Sequence, residues 1–197
     1  QQAVAGGAAA FRVNCVQCHG SGAAGSHELG YPNLNDDYWL WGGDLKAIEY
    51  TLVHGIRQTS DDDTRTSVMP TFAGAFDTQQ LNDVVDHVLS LSGKAQSNPV
   101  GGQLYADNCA ACHGAGGQGD RAQGVPRLND AIWLRGNSRE AIKRQILNPR
   151  MGVMPKWEGR LDPVTIKMLA AYVHSLGGGE DFVEVAKDHE VKVDEQP

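Results

Sequence analysis

Four cysteines, Cys15, Cys18, Cys109 and Cys112, stand in two C-x-x-C pairs, and a histidine follows each pair at once, His19 and His113. This is the spacing of a haem c attachment site. Two thiols about one helical turn apart can add to the two vinyl groups of one porphyrin. The next residue then offers an imidazole to the iron. A redox dithiol, a disulfide or half of a zinc site also uses C-x-x-C. The repetition of the following histidine favours two covalently attached haem c groups.

A haem c iron takes a second axial ligand, and a soft thioether there raises the reduction potential. Met69-Pro70 and Met154-Pro155 are the candidates, each just ahead of a helical stretch. Proline beside the methionine stiffens the loop that aims the sulfur. Met69 is the only methionine of its half; Met151 competes with Met154, and Met168 reads as core. His27, His54, His87, His174 and His189 have no histidine at the repeated position and read as other than ligands. Trp39 and Trp133 fit either a haem edge or plain packing. Arg57, Arg127 and Arg135 could pair with haem propionates.

These residues recur because the chain is an internal repeat. An offset of 94 places Gly7, Phe11 and Cys15 on Gly101, Tyr105 and Cys109. It also places Pro32, Leu34, Asn35, Asp36, Trp39, Leu40 and Gly42 on Pro126, Leu128, Asn129, Asp130, Trp133, Leu134 and Gly136. Beyond Ile48 and Ile142 the offset falls to 85, matching Met69-Pro70 to Met154-Pro155 and Phe72 to Trp157. The nine extra residues of the first half, near Gln58–Thr66, read as a polar surface loop. Helices are expected over Val4–Asn14, Asp44–His54 and Asp77–Leu91, with Thr78 as a cap, and over Gly102–Asn108, Ser138–Leu147 and Asp162–Leu176. Gly7 and Phe11 share one helix face, where glycine lets another helix cross closely, and the closing helix of the same half is the expected partner. The expected organisation is all-α: a domain over 1–91, a linker over 92–98, a domain over 99–179 and an acidic tail over 180–197.

Composition bounds the function. The 197 residues are 41% hydrophobic and 21% charged, ordinary for a globular protein. The net charge of −7 argues against nucleic acid as a partner. No apolar run approaches the ~20 residues that span a bilayer. The chain begins at Gln1 without a signal segment and reads as a processed or trimmed product. Charge divides unevenly, −6 over residues 1–98, +4 over 99–179 and −5 beyond. An acidic first half would receive a basic donor protein.

Both halves resemble class I cytochrome c domains, in the C-x-x-C-H motif, the Met-Pro loop and the paired first and last helices. Three stretches narrow this: YPNLNDDYWLWGGD at Tyr31–Asp44, VHGIRQ at Val53–Gln58 and MPTFAG at Met69–Gly74. Together they resemble the diheme subunit, subunit III, of cbb-type haem–copper cytochrome c oxidases. That resemblance implies a relay of electrons from a soluble periplasmic cytochrome c to a monohaem cytochrome subunit and then to the oxygen-reducing haem–copper subunit. It implies a place on the periplasmic side of the bacterial inner membrane, through an N-terminal anchor that this chain lacks, and no catalysis by the subunit alone. By residue match, Cys15, Cys18, His19 and Met69 serve one haem, and Cys109, Cys112, His113 and Met154 the other. A free two-haem carrier and the cytochrome subunit of a periplasmic dehydrogenase share the same tandem plan.

Overall fold

The computed structural model describes residues 1–181; the rest of the acidic tail, with His189, lies outside the described residues. Eight helices are described: α1 Gln2–Asn14, α2 Val16–His19, α3 Leu45–His54, α4 Thr78–Leu91, α5 Pro99–Asn108, α6 Ala110–His113, α7 Arg139–Leu147 and α8 Pro163–His174. No strand longer than an isolated bridge joins them among the described residues, so the all-α expectation holds.

The start signals are side-chain caps. Asp44, Ser138 and Asp162 accept from the first backbone amides of α3, α7 and α8. At α4 the cap is Asp77 rather than Thr78. Its carboxylate accepts from the Gln80 amide, and the Gln80 side chain accepts from the Asp77 amide. α5 starts three residues earlier than expected, because Asn98 caps it and Pro99 fits the first turn.

The helix partners differ from expectation. α1 crosses α8, the last helix of the chain, and α4 crosses α5. Each half lends its closing helix to the other. Gly7 lies against the Met168 carbonyl, which a Cβ would strike, and Phe11 meets Tyr172 with ring centres 5.3 Å apart. Gly101 lies in the same way against the Asp83 carbonyl, and Tyr105 meets His87 at 4.8 Å. The exchange is open to the sequence because positions 83 and 168, and 87 and 172, are repeat equivalents. Either closing helix offers the same crossing surface. The linker completes it by folding back along α4, with the Asn98 amide donating to Asp83 at 2.8 Å and His87 Nδ1 bonded to the Ser97 hydroxyl at 2.7 Å.

Two cores result, each drawn from both halves. The first gathers Phe11, Cys15, Ile48 and Leu52 with Trp157, Leu169 and Val173. The second gathers Val84, Val85, Val88 and Leu89 with Tyr105, Ile142 and Ile146. The domain limits at 91 and 99 therefore divide the sequence but not the packing. Glu180, expected to open the tail, is bound into the fold: its amide donates to the Gly43 carbonyl at 3.0 Å and its carboxylate pairs with Arg121 at 2.7 Å.

Candidate functional site

Each C-x-x-C-H segment is a short helical turn continuing the helix before it. The Cys15 amide donates to Phe11 and the His19 amide to Cys15; Cys109 and His113 repeat both bonds. All four thiols are free. Burial, and then the neighbouring Cys18 or Cys112, pushes Cys15 and Cys109 up to about 11. A reactive dithiol needs the opposite shift, so these pairs are poor redox centres in their own right.

The two histidines are held alike. His19 Nδ1 donates to the Pro32 carbonyl at 3.2 Å, and His113 Nδ1 to the Pro126 carbonyl at 3.0 Å. A carbonyl can only accept, so each proton sits on Nδ1 and the Nε2 lone pair is free for a metal. Burial lowers the pKa of both rings, against the raising effect of the carbonyl bond, and holds them neutral. The loops carrying those carbonyls are themselves fixed: Leu34 N donates to Ala23 O at 2.8 Å, and Leu128 N to Gly117 O at 2.7 Å.

The methionines follow the exchanged helices. Met154 packs on the core that contains Cys15, and Met69 on the side of the core that Cys109 flanks. The core beside the first C-x-x-C-H turn thus carries Met154 and the core beside the second carries Met69, whereas the residue match pairs each turn with the methionine of its own half. The backbone repeats the exchange. Trp157 N donates to Leu52 O at 2.9 Å, and Phe72 N to Ile146 O at 3.1 Å, so each Met loop is bonded to the middle helix of the other half. Met154 pairs with Ile56 in both directions, N to O at 3.0 Å and O to N at 2.9 Å. Gly55, at φ +71°, precedes that pair, and a Cβ there would strike the Met154 carbonyl. Met151 is 39% exposed and joins neither core; Met168 lies over Gly6 within the α1–α8 crossing.

The remaining histidines have other partners. His27 is bonded to the Leu134 carbonyl, His54 to Asp61 and His174 to the Glu180 carbonyl. Trp39 donates to Gly178 O and Trp133 to Asp130 O, so both repeated indoles are spent on backbone. Trp41, which no repeated position singles out in the sequence, has its indole N–H buried without a partner among the described residues. A buried donor of this kind needs an acceptor, and a haem propionate is one. Together with two free Nε2 atoms and two sulfurs lining apolar cores, it shows that the residues present fit haem c. Arg127 pairs with Asp130 at 3.2 Å and lies over Tyr38, while Arg57 is bonded to backbone carbonyls.

The nine-residue insertion is not a free loop. Asp61 has a 6% exposed side chain and binds His54 at 3.1 Å and Lys156 at 3.2 Å. Arg65 donates to Thr51 Oγ1 and Ala47 O and stacks over Trp41 and Tyr50. The exchange also reduces the charge asymmetry. Segments 1–66 and 152–179, which surround the first core, hold seven basic and ten acidic residues; 67–151 hold eight and seven.

Residues 4–92 match the family described as cytochrome c, and residues 97–173 that described as cytochrome c oxidase, cbb3-type, subunit III. The cbb3-type cytochrome c oxidase subunit CcoP of Cereibacter sphaeroides is 52% identical over 185 residues, covering 91% of this chain and 63% of that protein. The subunit FixPc of Rhizobium leguminosarum bv. viciae is 52% identical over 181 residues, covering 90% and 62%. FixP of Rhizobium meliloti is 50% identical over 184 residues, covering 91% and 63%. The chain thus spans just under two thirds of the length of these relatives.

Proposed function

We propose that the chain is the two-haem electron relay of a cbb3-type oxidase, the reading that its similarity to cytochrome c and to cbb3-type subunit III supports. It receives electrons from a soluble cytochrome c on the periplasmic side of the inner membrane. It delivers them to a monohaem cytochrome subunit and so to the haem–copper subunit where oxygen is reduced. It carries no oxygen chemistry itself. Among its described residues no helix is long and apolar enough to cross a membrane.

The observation that supports this reading best is the shared junction of the two sites. The Gly55–Arg57 segment is bonded to the Met154 backbone, and Arg57 also reaches the chain beside Met69. Bound haem c supplies a one-electron couple at a low-spin iron. The residues hold that iron's surroundings still. Cys15, Cys18, His19 and Met154 serve one group, and Cys109, Cys112, His113 and Met69 the other. The Pro32 and Pro126 carbonyls fix the imidazole planes, and the middle helices fix the Met loops. Ligands held on rigid elements need little rearrangement when the charge changes, the condition for repeated electron transfer.

The test is capture of the protein from detergent-solubilised membranes. The expected material contains haem b and reduces oxygen when supplied with reduced cytochrome c. Recovery of haem c alone, from the soluble fraction, would overturn the oxidase assignment in favour of a free carrier.

A further inference from the structure

One side chain touches both Met loops. Arg57 Nε donates to the Gly152 carbonyl at 2.7 Å, and Arg57 Nη1 donates to the Ser67 carbonyl at 3.0 Å. Gly152 and Ser67 are repeat equivalents under the offset of 85, each two residues before its methionine. The guanidinium therefore holds the same atom in both copies of the loop. Only a planar fork with several fixed N–H directions can do this from one position.

The backbone serves the same end. Arg57 has φ +53°, in the left-handed region that side chains other than glycine rarely adopt. Such a conformation persists where its surroundings over-determine it, and it is concentrated at functional positions. Here the Ile56 amide is bonded to Met154 O and the Arg57 amide to Arg65 O, which turns the side chain into the seam. The guanidinium has no carboxylate partner among the described ion pairs. Burial, and then the charge of Arg135, depresses its pKa, so the two carbonyls are what it is placed for. The repeat equivalent of Arg57 is Met151, which is exposed. The device is present once and serves both sites.

We propose that Arg57 is a positioning residue that sets the Met69 and Met154 loops together, so that the two redox sites are coupled through one guanidinium. A displacement of either loop on a change of iron charge is passed to the other, and the coupling is reciprocal. The inference rests on the reading of Met69 and Met154 as axial ligands.

The test uses the haem-loaded chain and reads the Met–iron charge-transfer absorbance and the two-step redox titration. Met69→His leaves a band from the Met154 site alone, and Met154→His a band from the Met69 site alone. Arg57→Gln placed in each background is expected to remove the remaining band and displace the remaining potential. Arg57→Lys, which keeps the charge but offers one compact ammonium, is expected to keep the band at one site and lose it at the other. Arg150→Gln removes a charge two residues before Gly152 without breaking either bond, and is expected to keep both bands. Retention of the band in either Arg57→Gln background overturns the proposal, as does retention at both sites in Arg57→Lys or loss at both in Arg150→Gln. If neither Met→His replacement alters the spectrum, the ligand reading itself fails and takes the proposal with it.

Discussion

The core around Phe11 and the core around Tyr105 follow one plan with different chemistry, and the difference shows why the helices are exchanged. Where α8 crosses α1, the Met168 sulfur lies where a Cβ on Gly6 would stand. The repeat equivalent of Gly6 is Val100, on α5, so the Met168 side chain would have to turn aside for α8 to settle there. Where α4 crosses α5, Asp83 is 7% exposed and accepts from Asn98 at 2.8 Å and Gln79 at 3.0 Å. The equivalent of Asn98 is Val4, within the first turn of α1, whose side chain has no donor to offer. A buried carboxylate that loses a donor is costly. The shared backbone geometry permits either pairing, and these few side chains choose the exchanged one.

The strongest way to break the comparison is through the axial ligands. In a Cys109→Ala/Cys112→Ala background only the group on Cys15 and Cys18 remains. Met154→His is expected to lower its potential by on the order of 0.2 V, within the ~0.8 V range that axial ligation spans. Met69→His is expected to leave it almost unchanged. A redox titration with the opposite result would return each methionine to its own half of the sequence.

Next in size are the glycine crossings. Gly7→Ala puts a Cβ into the Met168 carbonyl and Gly101→Ala into that of Asp83. Backbone on the facing helix cannot move aside cheaply, so each is expected to destabilise by about 3 kcal/mol. Denaturant unfolding checks the size. Loss of the Met–iron band identifies the site: Gly7→Ala should weaken the Met154 site first, and Gly101→Ala the Met69 site. Equal loss at both sites would mean that the cores are not separate. Asn98→Val sharpens the choice of partner. It leaves Asp83 with one donor of two and removes the cap of α5, and is expected to cost about 2–3 kcal/mol, with no loss at the α1–α8 crossing.

Much of this was legible in the residues. The C-x-x-C-H spacing, the Met-Pro loops and the caps at Asp44, Ser138 and Asp162 are local signals, and local geometry honours them. Gly7 and Gly101 announced a close crossing in each half. They could not say with which helix, because a repeat makes the alternatives equivalent in pattern, and only the long-range fit of Met168 to Gly6 and Asp83 to Asn98 separates them. Trp41 and Arg57 were harder still. Trp41 lacks an equivalent indole in the second half, and the role of Arg57 exists only once two distant loops meet.

The smallest expected effect concerns the ring pair at each crossing. Phe11 meets Tyr172, whereas Tyr105 meets His87, so the second core alone holds a ring at its crossing that titrates near neutrality. Burial lowers the His87 pKa from its ordinary 6.5. The unfolded chain therefore binds this proton more readily than the folded one. The stability it represents is complete above pH 6.5 and is lost as the pH falls through the lower, folded-state value. His19 and His113 shift in the same direction, but in the haem-loaded protein the iron occupies them. His87→Phe copies the apolar pairing of the first core and is expected to flatten the decline in unfolding midpoint between pH 8 and pH 5. An unchanged slope in that variant would show that the histidine is already accommodated in its charged form, by Ser97 and the solvent at its edge, and that the two crossings do not differ in their response to acid.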